Sequence, residues 1–343
     1  MKRIAITLSV LTLGAAALMA PAGVSAWGNT GHRLIGTAAM RALPDELPAF
    51  LRTPGAVAEV GELSREPDRT KGGGQPHDRE RDTAHFIDMD EDARVMDARG
   101  MTIDALPRLK SEYDAALTAA GLDVDDAGYL PYAIWDGYQQ LVRDFATWRV
   151  LNAAEAREQD PGKRAWYRED RLRREALILR DMGYLAHFVG DGAQPHHTTI
   201  HYNGWNRDMP NPDGFTTSRQ THGEFEGAFA ARVARLDAVE QAMAAPRLDG
   251  FDLRTRVPAY LKTTLAEVRP FYVLEKAGGF READARGAAF VTARLAAGAG
   301  ELRDLFILAW RDSADDLIGW PTVKVAEVEA GTADPWLAMY GED

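Results

Sequence analysis

Apolar residues along most of the chain recur at intervals of three and four, the spacing that places them on one face of an α-helix. Segments with this pattern are Leu34 to Ala42, Leu106 to Ala119, Tyr132 to Leu151, Trp166 to Val189, Phe225 to Leu236, Val257 to Val268 and Ala285 to Trp310. The sequence contains no series of alternating strands separated by turns. The pattern therefore predicts an all-α, bundle-like domain that carries its functional side chains on facing helices and at their ends.

Two stretches between these segments lack a helical pattern and are predicted as irregular loops. Gly55 to Asp82 contains several charges and Lys71 followed by three glycines, and Tyr202 to Thr221 contains Pro210 and Pro212. Glycine and proline at this density interrupt helices. Each stretch leads to a residue with metal-binding chemistry, so we expect these loops to shape a functional site at one end of the bundle.

The first 26 residues have the features of an export leader. Lys2 and Arg3 give a short basic start, Ile4 to Met19 is apolar, and small residues precede a cleavage point after Ala26. The apolar run is short and broken by glycine, so a transmembrane anchor is the less favoured interpretation. Cleavage would leave Trp27 as the first residue of a periplasmic or secreted protein.

Composition narrows the class of protein that follows the leader. Hydrophobic residues make up 45% of the chain, which is ordinary for a globular protein, and one large core is expected. The predicted boundaries are residues 1–26 for the leader, 27–319 for a single helical domain and 320–343 for a peripheral tail. Cysteine is absent, so stability must come from the core and from any bound metal. The net charge of −12 disfavours a broad surface for polyanions.

Histidines and carboxylates occur at spacings that suit metal binding. His187 and Asp191 are four residues apart in a predicted helix, which puts both side chains on one face. His197 follows directly, and His222 and Glu226 repeat the four-residue spacing. One such pair alone is usually a solvated surface contact, but two pairs flanking a third histidine indicate a metal site. Imidazole and carboxylate are the ligands that zinc accepts where no thiolate is available.

Three residues nearer the N-terminus extend this set. His32, Asp68 and His85 are unremarkable singly, but a free α-amine on Trp27 could chelate a metal together with its own carbonyl and a nearby imidazole. The complete predicted ligand set is Trp27, His32, Asp68, His85, His187, Asp191, His197, His222 and Glu226. His77, His196 and His201 fit no ligand spacing and are expected on loop surfaces, the last two also as candidates for contacts behind the ligands or with substrate.

The order of these residues resembles a known superfamily. A first tryptophan followed by His, Asp, His-Phe, His-x-x-x-Asp, Pro-x-His and His-x-x-x-acid is similar to the trinuclear-zinc proteins that include bacterial phospholipase C and the P-one/S-one type single-strand nucleases. The resemblance spans Trp27 to Glu226 and implies three zinc ions. The implied ligands are Asp68, His85, His187 and Asp191 for one zinc; the amine and carbonyl of Trp27, His32 and a bridging Asp191 for a close second; and His197, His222 and Glu226 for a third.

The same resemblance implies roles in phosphodiester hydrolysis. Asp68 would act as general base or would orient the attacking water, and Lys71 would offset charge in the transition state. In the nuclease branch Phe86 would stack on a base and Asp88 would accept a hydrogen bond from its edge. An attack in line with the leaving group needs a flexible, unpaired phosphodiester, which favours single strands.

The remaining sequence features are similar partly to the nuclease branch and partly to the phospholipase branch. The short spacing from Trp27 to His32, the long loop before His222 and Lys71 are similar to the nucleases. Glu226 and the Pro-Asp pair at residues 67–68 are similar to the phospholipases. The Gly-Gly-Asn loop signature of the nucleases and the choline-binding aromatic residues of the phospholipases are both missing.

Charge at the positions of the choline-binding rings favours one branch. Arg69 and Asp82 occupy the two positions where the phospholipases have aromatic side chains. The sequence thus favours an endonuclease or 3′-nucleotidase acting on single-stranded nucleic acid or nucleotides. Phospholipase C acting on phospholipid is the first alternative. A non-catalytic periplasmic zinc-binding protein, or a helical domain with incidental histidines, is less favoured.

Overall fold

A computed structural model describes residues 27–96 and 101–342, apart from the side chain of residue 80. The predicted leader lies outside the described residues. Helices dominate the described part, which forms a single domain around one extensive core, so the predicted all-α class is confirmed. None of the described helices combines the length and the apolar character needed to cross a bilayer.

The helices are α1 Gly28–Arg41, α2 Pro54–Leu63, α3 Glu66–Arg69, α4 His77–Asp82, α5 Lys110–Ala120, α6 Val124–Ala127, α7 Leu130–Arg157, α8 Pro161–Ala193, α9 Thr221–Gly223, α10 Ala230–Val233, α11 Leu236–Ala242, α12 Leu253–Leu265, α13 Val268–Lys276, α14 Ala285–Asp312, α15 Val325–Ala330 and α16 Trp336–Tyr340. Single 3-10 turns lie at Ala49–Arg52, Thr83–His85, Ile103–Ala105, Pro195–His197 and Ser313–Asp315, and a π-helical turn, Glu224–Phe229, joins α9 to α10. Strands β1 Leu317–Ile318 and β2 Val323–Lys324 pair antiparallel.

The long helices α7 and α8 form the centre of the fold. A three-residue connection joins them, and Asp160 in that connection caps α8 by accepting hydrogen bonds from the amides of Gly162 and Lys163 at 2.8 and 2.9 Å. Pro161 occupies the first turn of α8, where a missing N–H costs nothing. Helix α14 packs against both long helices, and α1 packs against α8 and α14. Each predicted helical segment overlaps a helix of the structure.

The prediction of an irregular loop from Gly55 to Asp82 is wrong. This stretch contains α2, α3 and α4, and only the two-residue turn between α2 and α3 and the residues between α3 and α4 lie outside helices. The hydroxyl of Thr53 caps α2 by accepting from the amide of Ala56 at 3.2 Å, and Pro54 starts the helix. These helices are short, and each buries only one or two turns of one face, as α2 does around Val60. The periodic signal of so few apolar residues is too weak to outweigh the glycines.

The segment that follows α14 packs on the long helices. Ile318, Val325 and Val328 are buried in a small apolar cluster with Ala146 and Val150 of α7. Leu317 lies opposite Lys324 in the β1–β2 hairpin. This end of the chain therefore covers the face of α7 and contributes none of the predicted ligands.

A close contact between α2 and α8 links the core to the predicted ligands. A Cβ atom on Gly183 of α8 would lie 2.4 Å from Leu63 Cβ, so only glycine permits this approach. The contact brings the carbonyl of Ser64 to 2.8 Å from Nδ1 of His187, one turn further along α8. The packing of two helices thus sets the orientation of one predicted ligand.

We expect Gly183→Ala to destabilise the protein by roughly 2 kcal/mol, because the added methyl group overpacks the α2–α8 contact. It should also weaken metal binding, since α2 carries the carbonyl that orients His187. Gly300→Ala is a matched control: it lies in α14, where an added Cβ meets no atom within 4 Å. Urea unfolding of both variants tests this, and equal midpoints for the two would contradict it.

Candidate metal centre

The predicted ligands gather around the C-terminal end of α8. His187 and Asp191 lie in the last turns of that helix, and His32 approaches from α1. Asp68 lies on α3, and His85 lies in the turn that follows α4. The remaining ligands come from the segment after α8: His197 from a 3-10 turn, His222 from α9 and Glu226 from the π-helical turn. Each of these side chains is buried or largely buried.

Ligand atoms converge in three neighbouring groups. In each group the nitrogen and oxygen atoms lie within 4.8 Å of one another. The groups are His32, Asp68 and His187; His85, His187 and Asp191; and His197, His222 and Glu226. The third group contains the same residues that the resemblance implied for the third zinc, and the first two share His187. The arrangement is consistent with a multinuclear metal site.

Asp191 presents its two oxygens to different histidines. Oδ2 lies 3.0 Å from His85 Nδ1 and 3.3 Å from His187 Nε2. Oδ1 lies 3.4 Å from His32 Nε2 and 3.9 Å from His197 Nδ1. A fully buried carboxylate placed in this way can share its oxygens between two metal ions, as the predicted bridging role requires.

Backbone carbonyls fix the tautomers of two histidines. Nδ1 of His187 lies 2.8 Å from the carbonyl of Ser64, and Nδ1 of His197 lies 2.6 Å from the carbonyl of His85. A carbonyl oxygen can only accept, so in both rings the Nδ1–H donates. The Nε2 lone pair is then directed at a neighbouring carboxylate, which is the orientation that a metal ligand needs.

Close pairs of ring nitrogens, and ring nitrogens without a partner, test whether the residues fit a cation. His187 Nε2 lies 2.9 Å from His85 Nδ1, and His222 Nε2 lies 3.1 Å from His197 Nε2. Among the described residues, both ring nitrogens of His32 are buried without a hydrogen bond. Each unsatisfied buried polar atom costs about 1–3 kcal/mol. A divalent cation between these atoms would satisfy them, so the donor set fits zinc.

Electrostatics keep the carboxylates charged. Burial alone raises the pKa of Asp191, but His187 and His197 outweigh burial and hold that pKa well below its usual range. Burial also opposes protonation of His197, yet the carboxylates of Asp191 and Glu226 raise its pKa to about 9. By contrast, burial lowers the pKa of His85 to about 3. The centre therefore holds ionised carboxylates that attract cations.

Trp27 lies inside the centre. Its side chain is fully buried, and its indole Nε1 donates to the carbonyl of Gly190 at 2.8 Å. Its backbone nitrogen donates to Glu226 Oε2 at 3.2 Å. The contact made by this nitrogen is thus with the third group, whereas the resemblance assigned it to the second zinc. Cleavage after Ala26 would convert this buried amide into an amine.

The two predicted catalytic residues are paired. Lys71 Nζ lies 2.8 Å from Asp68 Oδ1, and the same oxygen lies 3.8 Å from both His85 Nδ1 and His187 Nε2. Burial raises the pKa of Asp68, but His187 and Lys71 outweigh burial and lower it. Asp68 is therefore ionised beside the first two groups, and Lys71 lies at their outer edge.

A cavity of about 570 Å³ opens over the centre. His85, His197 and His222 form part of its lining, together with Lys71 and the predicted substrate-binding residues Phe86 and Asp88. Asp88 is only 6% exposed, and burial raises its pKa well above the usual range. Its Oδ1 has no hydrogen bond within the described part of the chain. A buried polar group facing a cavity in this way is suited to contact a ligand.

Two of the three remaining histidines are not on the surface, so that expectation is wrong for them. His196 is buried against Phe271, with ring centroids 4.3 Å apart, and His201 stacks on Trp205 at 3.7 Å. The loop after His197 folds back over α13 because its aromatic residues join the core, which a loop prediction does not anticipate. His77 is exposed, as expected.

Gln194, which was not predicted as a site residue, lies between the ligands of α8 and the third group. Its Nε2 donates to Glu226 Oε2 at 3.0 Å, and its Oε1 accepts from the amide of His196 at 2.7 Å. Gln194 is fully buried. Its position directly before Pro195, inside the ligand-bearing stretch, was the available signal.

No family model and no curated protein matches the chain. The functional assignment therefore depends on the geometry of the site. That geometry establishes an all-helical domain with three buried groups of histidine and carboxylate side chains near one another.

Asp191→Asn should be more damaging than Glu226→Asp, because it removes charge shared by two groups whereas the second change keeps a carboxylate in one group. We expect metal affinity to fall by roughly a hundredfold and tenfold respectively. Metal analysis of both variants provides the measurement. Equal losses would show that Asp191 does not bridge.

Protein with one residue left in front of Trp27 should bind one metal ion fewer than protein that starts at Trp27, because an amide nitrogen is a poor ligand. That nitrogen is buried beside Glu226, so an extra residue would place an amide, and not an amine, at this point of the centre. The same residue added after the C-terminus is the control. Metal content and activity at the wild-type level in the N-terminally extended protein would refute this prediction.

Proposed function

We propose that the protein is an exported, zinc-dependent phosphodiester hydrolase of the single-strand nuclease or 3′-nucleotidase kind. The observation that carries the proposal is the shared carboxylate of Asp191 between histidine groups that open onto a cleft. A site intended only to hold metal has no need for such a cleft. The order of ligands along the chain, which resembles the trinuclear-zinc superfamily, supports the same assignment.

Following the resemblance, one zinc would be held by Asp68, His85, His187 and Asp191, a close second by Trp27, His32 and Asp191, and a third by His197, His222 and Glu226. Bound zinc supplies a lowered pKa for water and polarises phosphoryl oxygens, which is the chemistry that phosphodiester hydrolysis requires. The histidine tautomers fixed by Ser64 and His85 keep the Nε2 atoms of His187 and His197 available without rearrangement.

Asp68 and Lys71 would assist the reaction from the edge of the centre. The ionised Asp68 carboxylate can accept a proton from the attacking water or hold that water in line with the phosphorus. Lys71 lies on the cleft wall within 2.8 Å of Asp68, where its ammonium group would offset negative charge that develops on the phosphoryl oxygens. Lys71 lines the cleft, whereas the Asp68 side chain is largely buried behind it, beside the ligands.

The cleft favours a nucleotide over a lipid headgroup. Phe86 offers an aromatic face, and Asp88 offers a buried carboxyl group whose oxygen lacks a partner within the described structure. A stacking ring beside a polar group suits a base with its hydrogen-bonding edge. Binding of a quaternary ammonium needs aromatic faces around the cation, and Asp82 occupies one position where the phospholipases supply a ring.

Phospholipase activity is the second candidate because one ligand favours it. Glu226 is a glutamate, as in the phospholipases, where the nucleases have aspartate. Zinc-dependent turnover of bis-p-nitrophenyl phosphate by the purified protein, starting at Trp27, tests for hydrolysis as such. Side-by-side assays on single-stranded DNA, RNA, 3′-nucleotides and phosphatidylcholine then separate the two candidates. Zinc binding without any turnover would leave a non-catalytic zinc protein.

We expect Phe86→Ala to weaken activity on nucleotides by roughly tenfold, since stacking on one base contributes about 1–3 kcal/mol. The same change should leave bis-p-nitrophenyl phosphate turnover within about twofold, because that substrate has no base to stack. Trp320→Ala, which removes an aromatic ring that is 84% exposed and outside the cleft, is the control. Equal loss on both substrates would remove Phe86 from base recognition.

A further inference from the structure

Among lysine, arginine, aspartate and glutamate, the cleft walls carry mainly acidic side chains. Besides Asp88, they include Asp78, Asp82, Asp125 and Asp126. Lys71 is the only lysine or arginine in this lining among the residues that the structure describes. A cleft for a long polyanion would show the opposite balance, because phosphate groups are bound by positive side chains along the track of the backbone.

Two of these carboxylates are occupied by other groups. Asp78 accepts hydrogen bonds from the backbone amides of residues 72, 73 and 74 at 3.1, 3.0 and 2.9 Å. Asp125 lies 2.9 Å from the guanidinium of Arg79. Asp78 is therefore held in place by neutral amides, and only Asp125 has a cationic partner.

Asp82 and Asp126 differ from these two. In the described part of the chain, neither side chain forms an ion pair or accepts a hydrogen bond, and both are exposed on the cleft wall. Asp82 ends α4, and Asp126 lies in α6, so the two charges come from separate elements. A ligand that follows the walls away from the metal centre would meet these two free negative charges.

Asp88 is a second, independent feature of this wall that points to a ligand. It is 6% exposed, it lines the cavity, and its Oδ1 has no hydrogen-bond partner among the described atoms. A polar atom buried in this way costs free energy until a ligand or water satisfies it. The wall thus combines one polar group that can bind a ligand, Asp88, with two charges that repel anions, Asp82 and Asp126.

We propose that the cleft selects substrates with a single phosphate group, and that Asp82 and Asp126 are the residues that repel the neighbouring phosphates of a longer strand. The inference rests on the proposed function and narrows it to short nucleotide substrates. At low salt, like charges several ångströms apart repel strongly enough to change substrate binding. At 0.1 M salt the screening length is about 10 Å, which limits the repulsion to phosphates near the two carboxylates. The phosphate that reacts would be attracted by the metal ions that the proposed function places at the centre.

The test uses two oligothymidylates of equal length that share one central phosphodiester. In the first all other linkages are phosphodiesters, and in the second they are uncharged methylphosphonates. We expect the zinc-loaded protein to cleave the second at the central linkage roughly three- to tenfold more efficiently at low salt. Added sodium chloride should narrow this difference. In Asp82→Asn/Asp126→Asn the preference should largely disappear.

Asp249→Asn is the matched control, because it removes the same charge at an exposed position outside the cleft and should keep the wild-type preference. Fluorescence anisotropy of the two labelled strands on zinc-loaded protein measures the same preference without turnover. A double variant with an unchanged preference, in either cleavage or binding, would overturn the inference. An equal loss of preference in Asp249→Asn would also overturn it, since net charge would then be the cause.

The outcomes separate this inference from the proposed function. If bis-p-nitrophenyl phosphate and both strands remain uncleaved, hydrolysis fails, while the anisotropy difference still decides whether the walls repel flanking phosphates. If p-nitrophenylphosphorylcholine is cleaved far better than either strand, the nucleotide class is wrong and the inference falls with it. Cleavage of both strands at equal rates refutes the inference alone.

Discussion

The rest of the structure depends on the burial of an ionised carboxylate at Asp191. Moving such a charge out of water costs several kcal/mol unless partners surround it. Here each oxygen of Asp191 faces two histidine nitrogens, and those histidines come from four separate parts of the chain. Helices α1 and α8 and the turns that carry the other two histidines must therefore assemble together. The centre is a folding constraint as well as a chemical site.

The surrounding packing turns that constraint into a defined orientation. Carbonyls of Ser64 and His85 hold the Nδ1–H groups of two histidines, so neither ring can turn its Nε2 away from the carboxylates. Gly190 leaves the space that His32 occupies, because a Cβ there would lie 2.9 Å from its Nδ1. Gln194 adds a donor to Glu226. The second layer of the centre is thus built largely from backbone atoms and from residues that lack charge.

That composition explains what the sequence could reveal and what it could not. Helical periodicity located α7, α8 and α14, because each buries several turns of one face. The four-residue spacing of His187 and Asp191 located one pair of ligands, because a helix face fixes their separation. The hydrogen bond from His187 to the carbonyl of Ser64 could not be predicted from the sequence, since every residue has a carbonyl. The burial of His201 depends on stacking against Trp205, a contact within a loop that has no periodic pattern.

The position of the charges also separates two kinds of phosphate binding. A net charge of −12 disfavours binding of polyanions over the whole surface. Under the proposed function, attraction of phosphate would arise at the metal centre and decay within about one screening length, roughly 10 Å at 0.1 M salt. Lys71 is paired with Asp68 beside the ligands, so its charge would act on the reacting phosphate and little on phosphates further away. Beyond it the cleft offers an aromatic face, a buried carboxyl group and amide side chains such as Asn206. Under the proposed function, recognition away from the reacting phosphate would then rely on stacking and hydrogen bonds, which depend on the shape and edge of one neighbouring group rather than on the charge of a strand.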